Sequence, residues 1–331
     1  MNNMENSAYK KILELHHKEP FHNGYVLVES VPFSINHKIG VSQEGFPLFF
    51  VKCTSDLASI DINLELISVL FSQECSIREN KKDSKEIFTI VLLKTLNRDL
   101  QQYFTDVFSI ILQQLPTIPS EKELYKEIKK VIDLFSSINK APIKSIQGLW
   151  SELLIINSSK NPGYFISAWH VSPTDKYDFN DGKDKLEVKS TSKLDRIHRF
   201  SIQQLQSNIG SNLVIASLNV IETGVGKSVL NLRDSIVSKI KSIPLHLKLN
   251  EVIYKSIGSE FEKLGDVFFD YQFAIDSLFY YNSNDIPKIL QNNIPVEISN
   301  VTFDCDLSNV PYITHEDTLL MDSELFQKLK I

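Results

Sequence analysis

The chain has 331 residues, of which 42% are hydrophobic and 23% are charged, the balance of a soluble globular protein with a substantial core. Its net charge of −6 at pH 7 excludes the overall basic balance of non-specific DNA-binding proteins, so any positive field that serves nucleic acid must be local. No apolar run reaches the roughly 18 residues of a transmembrane helix. The N-terminus lacks the features of a signal peptide, and the three cysteines encode neither disulfides nor a zinc site. We therefore expect a cytoplasmic protein without a membrane segment.

The N-terminal third is predicted to be rich in β-strands. A short helix over 7–18 precedes several runs of β-branched and aromatic residues that alternate in part with polar ones. The predicted strands cover 25–31, 46–52, 60–71 and 87–94, and the polar segment 79–86 is predicted to be a turn.

Helical periodicity follows these strands. Apolar residues share one stripe over 98–115, and Ser120 with Glu123 forms a capping box that starts a second helix, which ends near residue 138. A third helix is predicted over 143–159. From these changes of pattern we predict a β-rich N-terminal domain over 1–95, a helical connector over 96–141 and a C-terminal domain over 142–331.

The C-terminal domain is predicted to be of the α/β class, because short strands alternate with helices in its sequence. The predicted strands cover 164–170, 176–180, 185–191, 198–202 and 212–220. The predicted helices cover 203–209, 228–242 and about 250–264, and the aromatic segments 267–275 and 277–282 are predicted to be strand-like.

Two registers are open for the hairpin over 176–191. A two-residue turn at Gly182-Lys183 pairs Asp178 with Glu187, and like charges in that position are unfavourable unless a cation binds between them. A turn at Asp181-Gly182 pairs Lys176 with Glu187 instead and creates no site. Turn chemistry alone leaves the two registers nearly even.

Glu152 favours the first register. It stands inside the apolar helix segment GLWSELLII, where burying a carboxylate without a partner is costly. Taken alone, an exposed position at the helix edge is the simpler interpretation of Glu152. Together with Asp178, Glu187 and Lys189, in the order helix, strand, hairpin and strand, it indicates a site.

This ordered set resembles the PD-(D/E)XK nuclease superfamily, whose core runs α-β-β-β-α-β. More narrowly, it resembles a family of PD-(D/E)XK proteins encoded beside restriction–modification and phage-defence genes. The resemblance lies in the segments GLWSELLII, AWH, YDF, LEVKST and HRFSIQQL, is closest over roughly 142–245, and departs from the motif at Tyr177, where the superfamily has Pro. It implies a restriction-endonuclease-like αβββαβ core that follows the β-rich domain and the helical connector.

The resemblance also implies a metal site. Asp178 and Glu187 would hold Mg²⁺, for which Mn²⁺ can substitute, and the backbone carbonyl of Val188 would be a further ligand. Hard oxygen donors of this kind suit Mg²⁺.

The remaining roles come from the same resemblance. Lys189 would position the attacking water or help to deprotonate it, and Glu152 would orient a metal-bound water or assist a second ion. Gln204 would contact the scissile phosphate or the nucleophile, with Gln203 as its alternative. His170 is interpreted either as a residue at the edge of the site or as a histidine whose ring binds the backbone.

The positive field is predicted to be local. The run after the hairpin would bind DNA, although a solvated charged loop is the simpler interpretation of that run alone. The DNA-binding candidates are Lys193, Arg196, His198 and Arg199. Segment 222–228 resembles a phosphate-binding loop, but Ile221 stands where that motif needs Gly, so no nucleotide cofactor is predicted.

The function that the resemblance implies is Mg²⁺-dependent hydrolysis of DNA as the cleavage component of a restriction or phage-defence system. The implied partners are DNA, a methyltransferase, an ATPase and a second copy of the chain in a homodimer. Two alternatives stay open: a catalytically silent DNA-docking subunit, and an RNA-directed nuclease of the same fold.

Overall fold

The computed structural model describes residues 8–18, 21–22, 25–54, 60–79, 82–138, 140–170, 175–206, 210–290, 294–314, 317 and 322–330. The chain divides into two compact units, residues 1–139 and 140–331. Helices and several sheets are present, so the predicted mixed α/β class is confirmed. None of the helices within the described ranges is long and apolar enough to cross a membrane.

The first unit is built around one antiparallel sheet. Its helices are α1 (Ala8–His17), α2 (Arg98–Gln114) and α3 (Glu121–Ile138). Its strands are β1 (Phe21–His22), β2 (Tyr25–Val26), β3 (Val28–Ser30), β4 (Lys38–Val41), β5 (Pro47–Val51), β6 (Ile62–Asn63), β7 (Ile67–Glu79) and β8 (Lys82–Leu93). Six of these strands form the sheet, in the order β3-β4-β5-β8-β7-β6. The segment predicted as a connector contains α2 and α3, which belong to this unit.

The core of the first unit lies between α2 and the sheet. Asn97 caps α2 by accepting a hydrogen bond from the backbone N–H of Leu100 at 3.0 Å, which satisfies one of the free donors at the helix start. The rings of Phe104 and Phe108 are fully buried, and their centroids lie 5.8 and 4.8 Å from that of Phe49 in β5. The predicted apolar stripe of this helix therefore faces the sheet.

The prediction of a turn over 79–86 was wrong for residues 79 and 82–86, and residues 80–81 lie outside the described ranges. Strand β7 extends to Glu79 and β8 begins at Lys82. Lys85 pairs with Ser76 in the ladder, and its ammonium lies 2.6 Å from the carboxylate of the exposed Glu74. Glu74 and Lys85 are both exposed to solvent, so this part of the hairpin accepts polar residues that also occur in turns.

Within the described residues, the second unit contains a smaller mixed sheet and more helices than the first. Its helices are α4 (Ile146–Ser158), α5 (Pro162–Ala168), α6 (Val229–Lys239), α7 (Ile243–Ile257), α8 (Tyr271–Asp276) and α9 (Glu324–Gln327), with 3-10 helices at Ile202–Leu205 and Gly258–Gly265. Its strands are β9 (Phe179–Asn180), β10 (Lys185–Thr191), β11 (Ile197–Ser201), β12 (Leu213–Asn219), β13 (Glu222–Thr223), β14 (Phe268–Phe269), β15 (Phe279–Asn282) and β16 (Thr302–Asp306).

The central sheet of the second unit has the order β15-β12-β10-β9. Strands β10 and β12 are parallel, while β9 and β15 run antiparallel to their neighbours. Every residue of β12 is buried, as expected of a strand covered on both faces. Helix α4, buried over most of its length, packs against β10 and α6 and so places its side chains beside the sheet.

Two segments predicted as strands are helical. Residues 162–168 form α5, because Asn161 accepts a hydrogen bond from the N–H of Tyr164 at 3.1 Å and Pro162 follows it at the first helical position. This start signal outweighs the β propensity of the aromatic residues. Similarly, Asp270 caps α8 by accepting from the N–H of Phe273 at 3.0 Å, so only the start of the segment 267–275 is a strand.

The hairpin adopts the register with the turn at Gly182-Lys183. Asn180 pairs with Lys185 and Phe179 with Leu186, which confirms the first of the two predicted registers. Gly182 has a φ of +98°, a left-handed conformation that glycine adopts without strain.

The predicted strand over 198–202 lies outside the central sheet. Strand β11 pairs antiparallel with β16, more than 100 residues away in sequence. A 3-10 helix follows β11 at the start of the helix predicted over 203–209, of which residues 207–209 lie outside the described ranges. The αβββαβ order of the core stays a prediction.

Candidate active site

Three buried acidic side chains converge beside the central sheet. The first two, Glu152 of α4 and Asp178 just before β9, share the ammonium of Lys144. The Lys144 Nζ atom lies 2.7 Å from Asp178 Oδ1 and also forms an ion pair with Glu152 Oε1. The other oxygen of Glu152 accepts a hydrogen bond from the indole N–H of Trp169 at 2.6 Å. Glu152 is therefore buried and fully partnered, not exposed at a helix edge.

The third carboxylate belongs to Glu187 in β10. Its Oε1 atom lies 2.8 Å from the Lys189 ammonium and accepts a hydrogen bond from Gln204 Nε2 at 2.7 Å. Lys189 also donates to Gln204 Oε1 at 3.3 Å. Glu187 and Lys189 share a face of the strand, as the alternation of side chains predicts.

Gln204 is placed by local structure. It forms a capping box with Ser201 at the start of the 3-10 helix, where its Oε1 accepts from the Ser201 N–H at 3.0 Å. Gln203 is exposed. Of the two glutamines considered from the sequence, the structure brings Gln204 into the site.

Asp178 joins the two groups. Its Oδ2 atom accepts a hydrogen bond from the backbone N–H of Val188 at 2.8 Å, and Val188 lies between Glu187 and Lys189. The five residues predicted to be catalytic thus form one connected network, which also contains Lys144 and the backbone of Val188.

Lys144 was missed by the sequence analysis. It precedes α4 in the structure and fell inside the helix predicted over 143–159, where it was given no role. One signal was present: Lys144 stands two helical turns before Glu152, a spacing that brings residues to the same side of a helix. A basic residue at that spacing from a buried carboxylate is a candidate partner for it.

The charges of the site are not balanced by its lysines. Burial, reinforced by the negative charge of Asp178, raises the pKa of both Glu152 and Glu187. Burial acts in the same direction on Asp178, but the Lys144 ammonium and the hydrogen bond from Val188 outweigh it and lower the pKa of that carboxyl. Ionising all three carboxylates leaves excess negative charge, so a divalent cation with a preference for oxygen ligands fits this donor set.

His170 lies at the edge of the network. One ligand atom each from His170, Glu152 and Asp178 lie within 4.8 Å of one another, a grouping that could hold a metal ion. The His170 ring nitrogen Nδ1 is 3.2 Å from the carbonyl oxygen of Asp178. Burial and the nearby Lys144 lower the pKa of His170, which favours the neutral ring that metals bind.

The predicted DNA-binding residues separate into two pairs. Lys193 and Arg199 are exposed, and Arg199 forms an ion pair with the exposed Asp304 at 2.9 Å.

Arg196 and His198 instead make contacts inside the unit. Arg196 donates to the carbonyl and the hydroxyl of Ser217, both at 3.0 Å, and lies over the ring of Phe279. The buried His198 ring lies 2.8 Å from the same hydroxyl, and burial lowers its pKa to about 4, so it is neutral at pH 7. These two side chains join β11 to β12.

Comparison with known proteins places this network in a family. Residues 25–308 match the DUF4420 family, described as “Putative PD-(D/E)XK family member”. The chain belongs to this family. The match includes every residue of the network, and it confirms the family resemblance carried by the sequence motifs. No curated protein and no solved structure matches the chain.

Proposed function

We propose that the protein is a metal-dependent nuclease that hydrolyses phosphodiester bonds of DNA at the network around Asp178. The observation that carries this proposal is the convergence of three buried carboxylates, Lys189 and Gln204 in a member of a PD-(D/E)XK family. Buried ionisable groups whose pKa values are shifted by burial and by one another are typical of active sites. The second unit, which contains the whole network, is then the nuclease domain, with an αβββαβ core.

Asp178 and Glu187 would hold the ion, together with the carbonyl of Val188. Mg²⁺ fits their oxygen donors, and Mn²⁺ can replace it. When bound, such an ion activates water and offsets negative charge on the phosphate.

The side chains of the network supply the other functions. Lys189 donates hydrogen bonds to the attacking water and to the phosphate, and its ion pair with Glu187 keeps the ammonium in place. Gln204 fixes both of these side chains, since it donates to Glu187 and accepts from Lys189. Glu152 orients a water molecule on the side of the site that faces α4.

The proposed substrate is supported by the PD-(D/E)XK family and by the exposed cations, and the proposed biological role by the resemblance of the sequence motifs. Lys193 and Arg199 are exposed and close in sequence to the network, so they are the candidates for contacts with DNA phosphates. We place the protein in the cytoplasm as the cleavage component of a restriction or phage-defence system, with a methyltransferase and an ATPase as partners and a homodimer as its assembly.

The test is cleavage of plasmid DNA and of RNA by the purified protein with Mg²⁺, Mn²⁺ or EDTA. We expect nicked or linear plasmid with either ion and intact plasmid with EDTA. Cleavage of RNA alone would favour the RNA-directed alternative. DNA binding without cleavage, also in the presence of the partner proteins, would favour the docking subunit.

A further inference from the structure

Lys144 differs from the surface lysines that form ion pairs. Its ammonium contacts two carboxylates, Glu152 and Asp178, and 19% of its side chain is exposed. Lys263, by contrast, pairs with Glu260 alone and is 61% exposed. An exposed ion pair such as that of Lys263 contributes little to stability. A buried ammonium between two carboxylates instead neutralises negative charge that is not solvated by water.

The backbone around Lys144 is tied to the end of α7. The N–H groups of Ile143 and Lys144 both donate to the carbonyl of Ser256, at 2.9 and 3.1 Å, and Ser259 donates to the carbonyl of Lys140 at 2.8 Å. Gly258 has a φ of +50°, and a Cβ atom there would lie 2.1 Å from the Lys140 carbonyl oxygen. These contacts direct the Lys144 side chain into the site.

Three residues around the Lys144 ammonium form a group that could hold a metal ion. Glu152, His170 and Asp178 bring their ligand atoms within 4.8 Å of one another, and the ammonium contacts two of these three residues. Many nucleases use two divalent ions bound close together. Here the covalently attached ammonium of Lys144 forms an ion pair with Asp178, one of the two carboxylates of the proposed metal site. The ammonium and the metal ion would share this carboxylate.

We propose that Lys144 is a built-in second cation of this site. Its ammonium takes the place of a second divalent ion between Glu152 and Asp178, and a single divalent ion binds at Asp178 and Glu187. The proposal rests on the proposed function, because it presumes that these carboxylates bind a divalent ion. It makes Lys144 a positioning residue, which holds Glu152 and Asp178 in place through the ion pairs.

The test is the number of Mn²⁺ ions bound per full-length chain, measured from the electron paramagnetic resonance signal of free Mn²⁺. We expect about one ion for the wild type and about two for Lys144→Met, because the uncharged side chain opens the second position. Lys144→Arg, which keeps the charge, and the surface control Lys263→Met should each bind about one ion. Circular dichroism with and without Mn²⁺ checks that each variant is folded.

The possible outcomes separate the two proposals. About two ions on the wild type would overturn the role of Lys144 and leave the metal site intact, and this result does not depend on the folding of any variant. A folded Lys144→Met protein that still binds about one ion would overturn the role as well. No binding by either protein would overturn the proposed metal site, and the inference with it.

Discussion

The two units of the chain treat buried acidic side chains differently. In the first unit, Glu121 of α3 is 1% exposed, and its Oε1 atom accepts a hydrogen bond from the hydroxyl of Ser72. In the second unit, three buried carboxylates are connected through Lys144, Lys189 and the Val188 backbone. A carboxylate with a neutral partner needs only a structural explanation. Several carboxylates whose like charges repel one another lower the stability of the folded protein, and such arrangements are typical of functional sites.

The largest expected effect concerns Lys189. Lys189→Ala removes the ammonium that contacts Glu187 and Gln204, so DNA cleavage should fall by about 10²-fold or more. DNA affinity should stay nearly unchanged, because affinity comes mainly from many phosphate contacts. Cleavage kinetics and a binding titration measure the two quantities. Lys183→Ala, on the exposed turn of the same hairpin, is the control. An equal loss of cleavage in both variants would contradict a specific role of Lys189.

The next largest effect concerns the stability of the metal-free protein. Lys144→Met leaves Glu152 and Asp178 without their shared counter-charge and should lower the free energy of unfolding by about 3–5 kcal/mol. Lys263→Met removes an exposed pair and should cost less than about 1 kcal/mol. Urea denaturation in EDTA measures both values. If both variants lose a similar free energy of unfolding, the buried ion pairs of Lys144 contribute no more to stability than an exposed pair.

A smaller effect is expected from metal binding. At 100 times its dissociation constant, a divalent ion should stabilise the wild type by about 2.7 kcal/mol, because it binds the folded state. Glu187→Gln should lose most of this gain, while Glu121→Gln in the first unit should keep it. Thermal melting with Ca²⁺ or EDTA gives the comparison. A full response in Glu187→Gln would place the ion elsewhere.

The pH dependence of stability involves one buried histidine in each unit. Burial lowers the pKa of both His37 and His198 to about 4, so the folded protein keeps these rings neutral while the unfolded chain protonates them near pH 6.5. The stability that each contributes is therefore present above pH 6.5 and is lost as the pH falls towards 4, at about 2 kcal/mol per histidine by pH 5. His198→Gln should lose less stability between pH 7 and pH 5 than the wild type, as measured by urea midpoints. An unchanged loss would contradict the burial of His198.

The smallest effect concerns the exposed cations. Replacing Lys193 and Arg199 with Ala should weaken DNA binding for all sequences and reduce its salt dependence by roughly one unit of slope per lost phosphate contact. Binding titrations at several salt concentrations measure the slope. An unchanged slope would remove this surface from the DNA interface.

The sequence predicted the parts of the site that local rules control. The alternation of a strand places Glu187 and Lys189 on one face, and the turn at Gly182 sets the register beside Asp178. Gln204 is held by a capping box within its own 3-10 helix.

Distant contacts explain what the sequence analysis missed. The placement of Lys144 depends on the hydrogen bonds between its segment and Ser256, and the position of β11 outside the central sheet depends on its pairing with β16. Neither contact is indicated by a pattern in the neighbouring sequence.

The buried position of His198 could have been predicted. His198 and Phe200 are two residues apart in β11, so they share a face, and both are buried. The basic run was interpreted as a charged surface, and this alternation within it was overlooked.

The most direct test of the proposed active site compares one carboxylate from each unit. Cleavage of a labelled DNA duplex with Mg²⁺ should proceed at the same rate in the wild type and in Glu121→Gln, since Glu121 has only a structural contact. Asp178→Asn should not cleave, because Asp178 joins the two halves of the network and would bind the ion. If a folded Asp178→Asn protein cleaves DNA at the wild-type rate, the proposed active site is wrong.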